Sequence, residues 1–311
     1  MTIESKIISK IYYLFKALRP SQWIKNFSLL ASLILNDKLL DFGLLFKSIE
    51  AFVVFSLLSS SAYLINDIVD INRDRIHPTK KFRPLAHGDI QTKTAFLVSI
   101  FLIFISLFLS SSINQAFFVT SVVFILLQFT YSLILKKKAI FDILGISLFF
   151  IIRVYAGELA TGYHLPVWLM LTVIFLSLFI ASGKRRGELV GSGHQTRPAL
   201  QGYSKALLNF YSSIFAVATL ITYAMFTFFE EPVHFGGVFH RFLLDNAPQA
   251  LNRKWYMITL FPVIVGIMRY GQIIFDLHEG ERPEKVISSD LPILISVLLW
   301  GIMMVTIIYV I

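Results

Sequence analysis

The sequence predicts an all-α protein: a polytopic bundle of about nine membrane-crossing helices, forming a single integral-membrane domain over residues 1–311. Three observations lead there. Hydrophobic residues make up 56% of the chain, with 30 Phe and a mean hydropathy of +0.71, far from the near-even balance of a water-soluble domain. The apolar residues gather into runs close to the 20 or so that a helix needs to cross about 30 Å of hydrocarbon. Finally, the polar stretches between those runs alternate between rich and poor in Lys and Arg, as orientation in a membrane requires.

The first 22 residues carry a charge every few positions and lack the apolar run of a cleavable leader. They read as an amphipathic segment at the interface, with Lys6, Lys10, Lys16 and Arg19 toward anionic membrane lipids. Spanning helices are expected near 24–40, 46–66, 93–112, 115–135, 139–161, 165–183, 207–229, 255–275 and 291–311. The first has only the short apolar core FSLLASLIL, closed by Asp37 and Lys38, so a tilted or partly interfacial helix is expected. With a cytoplasmic N-terminus, the N-terminal segment and the loops after helices two, four, six and eight hold 22 of the 28 Lys and Arg residues. The positive-inside rule then predicts a multi-pass protein of the plasma (inner) membrane whose charged mouth faces the cytoplasm.

The net charge of +9 therefore reports orientation and contact with lipid or phosphate groups, and no nucleic-acid partner is expected. The absence of Cys excludes disulfides, thiolate metal sites and cysteine nucleophiles. The long outer loop EEPVHFGGVFHRFLLDNAPQALNRK reads as a connector.

Two cytoplasmic stretches carry unusual chemistry. In YLINDIVDINRDRIHPTKKFRPLAHGDI, residues 63–90, a helix continuing to about Asp74 stacks Asn66, Asp70 and Asp74 at i, i+4 and i+8, with Asp67 beside them. Carboxylates crowded within two turns repel unless a positive charge sits among them. Hard oxygen ligands at this spacing suit Mg²⁺, which shares its remaining positions between water and substrate phosphate. Asn66, Asp67, Asp70 and Asp74 are the predicted metal ligands, and Asp67, Asp70 and Asp74 the predicted catalytic residues. Arg73, Arg75, His77, Lys80, Lys81 and Arg83 follow, with Pro78 and Pro84 holding the chain out of a helix. Of these, Arg75, His77, Lys80 and Arg83 are the candidates for neutralising phosphate oxygens and stabilising a departing diphosphate.

The second stretch, ASGKRRGELVGSGHQTRPALQGYSK at 181–205, follows helix six. Lys184 and Arg185, with Glu188 as an acid, form a second candidate phosphate site, because Arg meets phosphate oxygens bidentately. Its place four helices after the first stretch suggests that helix pairs two–three and six–seven are equivalent parts of a pseudo-repeat.

The pattern NDxxDxxxD at the end of helix two resembles the first aspartate-rich motif of the UbiA superfamily of intramembrane prenyltransferases. RPSQWIKN at 19–26, NDIVDINRDRIHPTKKFRP at 66–84, YSLILK at 131–136 and SGKRRGEL at 182–189 are more narrowly similar to its branch that transfers phosphoribose. The resemblance runs from Arg19 through helix nine. It implies a UbiA-like fold and a reaction in which phosphoribosyl pyrophosphate, bound with Mg²⁺, loses diphosphate while a decaprenyl-type polyprenyl phosphate attacks C1 with inversion. It also implies that Lys25 and Asn26 hold the lipid phosphate, and that Tyr131 and Lys136 contact substrate. Only Glu188 stands where prenyltransferases carry a second DxxxD, which leaves open whether one metal ion or two are bound.

Asp142 and Arg153, eleven residues apart on helix five, lie about 16 Å apart on nearly one face. Charges inside a span face the protein interior or a polar cavity, and both are expected to reach substrate. Two other readings stay open: a prenyltransferase joining a prenyl diphosphate to an aromatic or glycerol-phosphate acceptor, and a transporter, which would place its ionisable groups nearer the membrane midplane.

Overall fold

A computed structural model of the chain describes residues 3–77, 79–192, 198–230, 244–277 and 283–310. Pro78, residues 193–197 of the second charged stretch, and most of the outer connector, 231–243, lie outside the described residues. Among those described there is no strand. Eight helices are long and apolar enough to cross a membrane: Phe42–Ile76, Thr92–Ile113, Gln115–Lys137, Phe141–Thr161, Val167–Gly191, Lys205–Phe229, Trp255–Leu277 and Leu291–Tyr309. The protein is multi-pass and all-helical.

Helix α1 covers Ile3–Leu18 and exposes Ile11, Tyr12 and Phe15. The segment expected as the first span takes another form. Arg19 turns the chain at φ 55° before Pro20, the residues Pro20–Leu30 wind as a 3₁₀ helix, and only Ala31–Leu35 (α2) is α-helical. The 3₁₀ period of three residues per turn places Trp23, Asn26 and Leu29 on one face. That face docks on α3 (Phe42–Ile76): Trp23 Nε1 donates to Ser60 Oγ at 3.0 Å, Asn26 Nδ2 donates to Ser56 Oγ at 2.9 Å, and Leu29 is fully buried.

Helix α3 starts at Asp41, whose carboxylate accepts from the Leu44 N–H at 3.1 Å. Its 35 residues reach about 52 Å, against about 30 Å of hydrocarbon. That surplus carries Asn66 to Asp74 beyond the apolar run. A short α4 (Pro84–His87) precedes α5 (Thr92–Ile113), α6 (Gln115–Leu133) and α7 (Phe141–Thr161).

By its packing the chain divides into two compact units. Unit 1 comprises Met1–Leu33, Asp41–Gly145 and Ile152–Tyr163. Here α3 lies along α5, and Ser99, Ser106 and Ser110 of α5 are buried; small side chains allow helices to approach closely in a membrane. Phe55 stacks against Phe117 and Phe124 at centroid distances of 5.6 and 4.9 Å. Ala17, Leu64, Leu85 and Ala95 form an apolar cluster that fixes α1, α4 and the start of α5 beside the charged end of α3.

Unit 2 comprises Ile34–Leu40, Ile146–Ile151 and His164–Ile311. Its α8 (Val167–Ser192) and α9 (Lys205–Phe229) are closely packed, and the helices Leu260–Gln272 and Leu291–Val305 end in π-turns at Ile273–Leu277 and Thr306–Val310. Residues 184–192, expected to lie in a loop, continue α8 by more than two turns. Arg186 accounts for part of this: it donates from Nε to Asn209 Oδ1 at 2.7 Å and from Nη1 to the Ile274 carbonyl, which fixes the last turns of α8 to α9 and the π-turn. Each unit thus has one helix that runs past its apolar stretch and carries a charged motif.

Candidate functional site

The acids of α3 meet cations from three other segments of unit 1. Asp67 is buried and accepts from Arg19 Nη2 and, at 3.1 Å, from Arg83 Nη1. The same Arg83 nitrogen donates to Asp74 Oδ2 at 2.7 Å, so one guanidinium holds two carboxylates together. Asp70 accepts from Lys136 Nζ with both oxygens at 2.8 Å, and Nζ also donates to Asn66 Oδ1 at 2.9 Å. Three carboxylates therefore face Arg19, Arg83 and Lys136, and the cluster is formally neutral. Such balance is needed where acids lie close together with little water.

Local sequence explains how each cation arrives. Arg19 ends α1, and its left-handed backbone brings the guanidinium back over the Tyr63 ring, 4.9 Å from the centroid. Burial works against its charge, but the attraction and hydrogen bond of Asp67 outweigh it, so the group is held above the ordinary guanidinium pKa. Arg83 stands between the 3₁₀ turn Lys80–Phe82 and Pro84, whose ring starts α4. Lys136 sits in the 3₁₀ turn Leu135–Lys137 that closes α6 and is 4% exposed, whereas Lys137 and Lys138 face outward.

A hard divalent ion fits the chemistry of this donor set. Oxygen ligands from Asp67 and Asp74 already converge on one positive atom, the Nη1 of Arg83. Among the described residues, however, no group of three His, Asp or Glu side chains stands assembled as a metal cage. The carboxylates are instead held by the protein's own cations.

The remaining predicted residues fall elsewhere. His77 organises its own turn, Nδ1 accepting from the Thr79 and Lys80 N–H groups at 3.3 and 3.4 Å. Arg75 is exposed and Lys80 half-buried. Lys25 donates to Gln22 Oε1 at 2.6 Å. Tyr131 packs against Gly145, where an added Cβ would come within 2.6 Å of the ring. Asp142 is fully buried in the first turn of α7, where the helix dipole favours a carboxylate.

Asn26 and Arg153 meet each other. Arg153 Nε donates to Asn26 Oδ1 at 2.6 Å, its Nη2 donates to Ser59 Oγ at 3.1 Å, and the guanidinium stacks over Phe124 at 5.0 Å. With Asn26 Nδ2 engaged by Ser56, the pair forms a buried seam joining the 3₁₀ segment, α3 and α7. Arg153→Leu is expected to destabilise the protein by on the order of 2 kcal/mol, because Asn26 and Ser59 lose their partner in a dry interior. Unfolding by SDS titration in mixed micelles checks this, and an unchanged midpoint would remove the seam's structural role.

In unit 2, Arg185 is fully buried and donates from Nη1 to Glu188 Oε2 at 2.5 Å across one turn of α8. Lys184 is partly exposed on the neighbouring face. The sequence places Arg19 only at the lipid interface, whereas the structure brings it to Asp67. Its place at the head of the RPSQWIKN motif, directly before a proline, was the available signal of a constrained role.

Fold and cluster together define a polytopic membrane protein with a cluster of paired charges where a long helix outruns its apolar stretch. The chain belongs to the UbiA prenyltransferase family, whose model matches residues 27–244. It is similar to the decaprenyl-phosphate phosphoribosyltransferase of Mycolicibacterium smegmatis, with 34% identity over 294 residues covering 92% of this chain and 89% of the relative. The protein of that name from Corynebacterium glutamicum is 33% identical over 304 residues, covering 96% and 87%. Among solved structures, a UbiA homolog from Archaeoglobus fulgidus bound to DMAPP and Mg²⁺ has a TM-score of 0.60 at 17% identity, covering 96% of this chain and 99% of that one. A structure concerning digeranylgeranylglyceryl phosphate synthase in membranes reaches 0.65 at 19%, covering 96% and 98%.

Proposed function

We propose that the protein transfers 5-phosphoribose from phosphoribosyl pyrophosphate to a polyprenyl phosphate of the decaprenyl type, releasing diphosphate at the cytoplasmic face of the plasma membrane. The observation that carries this reading is the neutral cluster of three acids and three cations at the end of α3. A multiply charged anion can be taken up there by exchange, because each cation can turn from a carboxylate to a phosphate oxygen. Likeness to two phosphoribosyltransferases over about nine-tenths of the chain supports this donor over a prenyl diphosphate.

Asn66, Asp67, Asp70 and Asp74 would hold Mg²⁺, which would supply positive charge to offset that of the leaving diphosphate. Arg83 and Lys136 neutralise the departing diphosphate, with Arg75, His77 and Lys80 lying along the following turn. The acceptor phosphate is already ionised at neutral pH, so its oxygen attacks C1 without a general base, from the side opposite the leaving group and with inversion. Lys25 is proposed for the lipid phosphate and Tyr131 for substrate contact. Asn26 and Arg153 act by positioning the 3₁₀ segment, and Asp142 by fixing the start of α7.

The donor carries a further phosphate on C5, for which Arg185 and Glu188 supply the chemistry, and Lys184 beside them is proposed for a substrate phosphate. Arg185→Ala is expected to raise the apparent KM for the donor about tenfold, the loss of a charged hydrogen bond, with the lipid KM unchanged. A change in the lipid KM alone would contradict that assignment. Purified protein in nanodiscs, given Mg²⁺, labelled phosphoribosyl pyrophosphate and a C50 or C55 prenyl phosphate, is expected to form a labelled lipid. Turnover of geranylgeranyl diphosphate without such a lipid would favour the prenyltransferase reading.

A further inference from the structure

Four helices of unit 2 leave an apolar groove of about 350 Å³ among them: α8, α9, Leu260–Gln272 and Leu291–Val305. Protein interiors pack to crystal-like density with few voids larger than a water molecule, so a space of this size calls for an occupant. The hydroxyls of Thr172, Thr219, Tyr223 and Ser296 and the Trp300 indole N–H on its walls are already satisfied. Thr172 donates to the Trp168 carbonyl at 2.8 Å, Thr219 to Phe215 at 2.6 Å and Ser296 to Pro292 at 2.8 Å. The Tyr223 hydroxyl meets Thr259 Oγ1 at 2.6 Å and accepts from Trp300 Nε1 at 2.6 Å. These groups therefore require no hydrogen bond from an occupant, and the predominantly apolar walls favour hydrocarbon.

One end of the groove is marked by charge. Leu169, Val173, Leu176 and Ile180 line it from α8 at the three- and four-residue spacing of a single helical face. Lys184, four residues beyond Ile180, continues that face one turn, about 5.4 Å, further on. At this end Gly183 leaves space for its neighbours: a Cβ there would collide with Ile274 and stand 3.3 Å from the Tyr270 hydroxyl. An apolar groove whose α8 face leads on to a lysine matches a hydrocarbon chain that ends in an anion. Phe179, Tyr223, Tyr270 and Trp300 add flat apolar ring faces to the walls, against which a hydrocarbon chain can pack.

We propose that this groove binds the phosphate-proximal isoprene units of the polyprenyl phosphate acceptor, with Lys184 at its mouth facing the lipid phosphate. This deepens the function proposed above and rests on it; Arg185 and Glu188 remain with the donor. A space of this volume is that of a drug-sized ligand, so only the first few isoprene units fit.

The test combines photolabelling with turnover. The full-length protein in nanodiscs is irradiated with a polyprenyl phosphate bearing a diazirine on its third isoprene unit. Label is expected on the peptides around Val173–Ile180 and Val263–Ile267, competed by unlabelled polyprenyl phosphate and not by phosphatidylglycerol. Gly266→Leu fills the groove from a position where an added Cβ meets only Ser296 at 3.7 Å, so the fold should tolerate it. It is expected to reduce that labelling about tenfold, and to remove the preference of turnover for acceptors longer than one isoprene unit. Label spread over lipid-facing residues, equal competition by phosphatidylglycerol, or unchanged labelling in Gly266→Leu would each overturn the proposal. Groove labelling without phosphoribosyl transfer would overturn the function proposed above and leave the groove standing as a polyprenyl phosphate site. Transfer without groove labelling would do the reverse.

Discussion

Asp70→Asn is expected to reduce phosphoribosyl transfer by about 10²-fold or more, the scale on which a group stabilising transition-state charge acts. The substitution retains one oxygen and the shape of the side chain, so Lys136 keeps an acceptor there as well as Asn66 Oδ1 at 2.9 Å. What disappears is negative charge, in a donor set of which Asp67, Asp70 and Asp74 are the only carboxylates on this end of α3. A ligand set short of charge binds a divalent ion more weakly, so the Mg²⁺ titration of turnover should move to higher concentration, and the unfolding midpoint should fall because the buried Lys136 loses its counter-charge. Near-normal turnover at limiting Mg²⁺ would exclude Asp70 from metal binding.

Lys136→Met is expected to be nearly as damaging, and for a different reason. Lys136 is 4% exposed, and its Nζ is shared among Asn66 and both oxygens of Asp70. Removing it leaves Asp70 uncompensated beside two other carboxylates; breaking a buried pair in this way costs about 3 kcal/mol or more. Stability should fall, and transfer should drop about 10²-fold if Lys136 neutralises the leaving group as proposed. Lys137→Ala and Lys138→Ala remove exposed cations and should change either measurement by less than about twofold. Equal effects from all three lysines would mean that the KKK run serves orientation alone.

The contrast among these lysines shows where sequence reasoning stops. Three consecutive lysines after a span are what the positive-inside rule produces, and nothing local distinguishes the first from the others. The 3₁₀ turn at Leu135–Lys137 turns Lys136 inward. Asn26 and Arg153 show the same limit from the other direction. Both look functional in the sequence, since amides and charges are rare in spans, yet they bond each other across 127 residues and join three segments. The first apolar segment has the composition of a short, tilted spanning helix, whereas Pro20 and the three-residue spacing of Trp23, Asn26 and Leu29 accompany a 3₁₀ helix over Pro20–Leu30. The KRRGEL residues were placed in a loop because their charge ends the apolar run, but Arg186, anchored to Asn209 and the Ile274 carbonyl, keeps them helical.

The sequence by itself determined the membrane class, the helices of spanning length after the first, the acid face of α3 and the UbiA resemblance. All of these depend on local composition, a 3.6-residue period or a contiguous motif. Only the tertiary structure decided which cation meets which acid, and that Arg19 belongs to the cluster. The partners stand 48 residues apart for Arg19 and Asp67 and 66 apart for Asp70 and Lys136. Bonds over such separations are set by how helices pack, which no local period encodes.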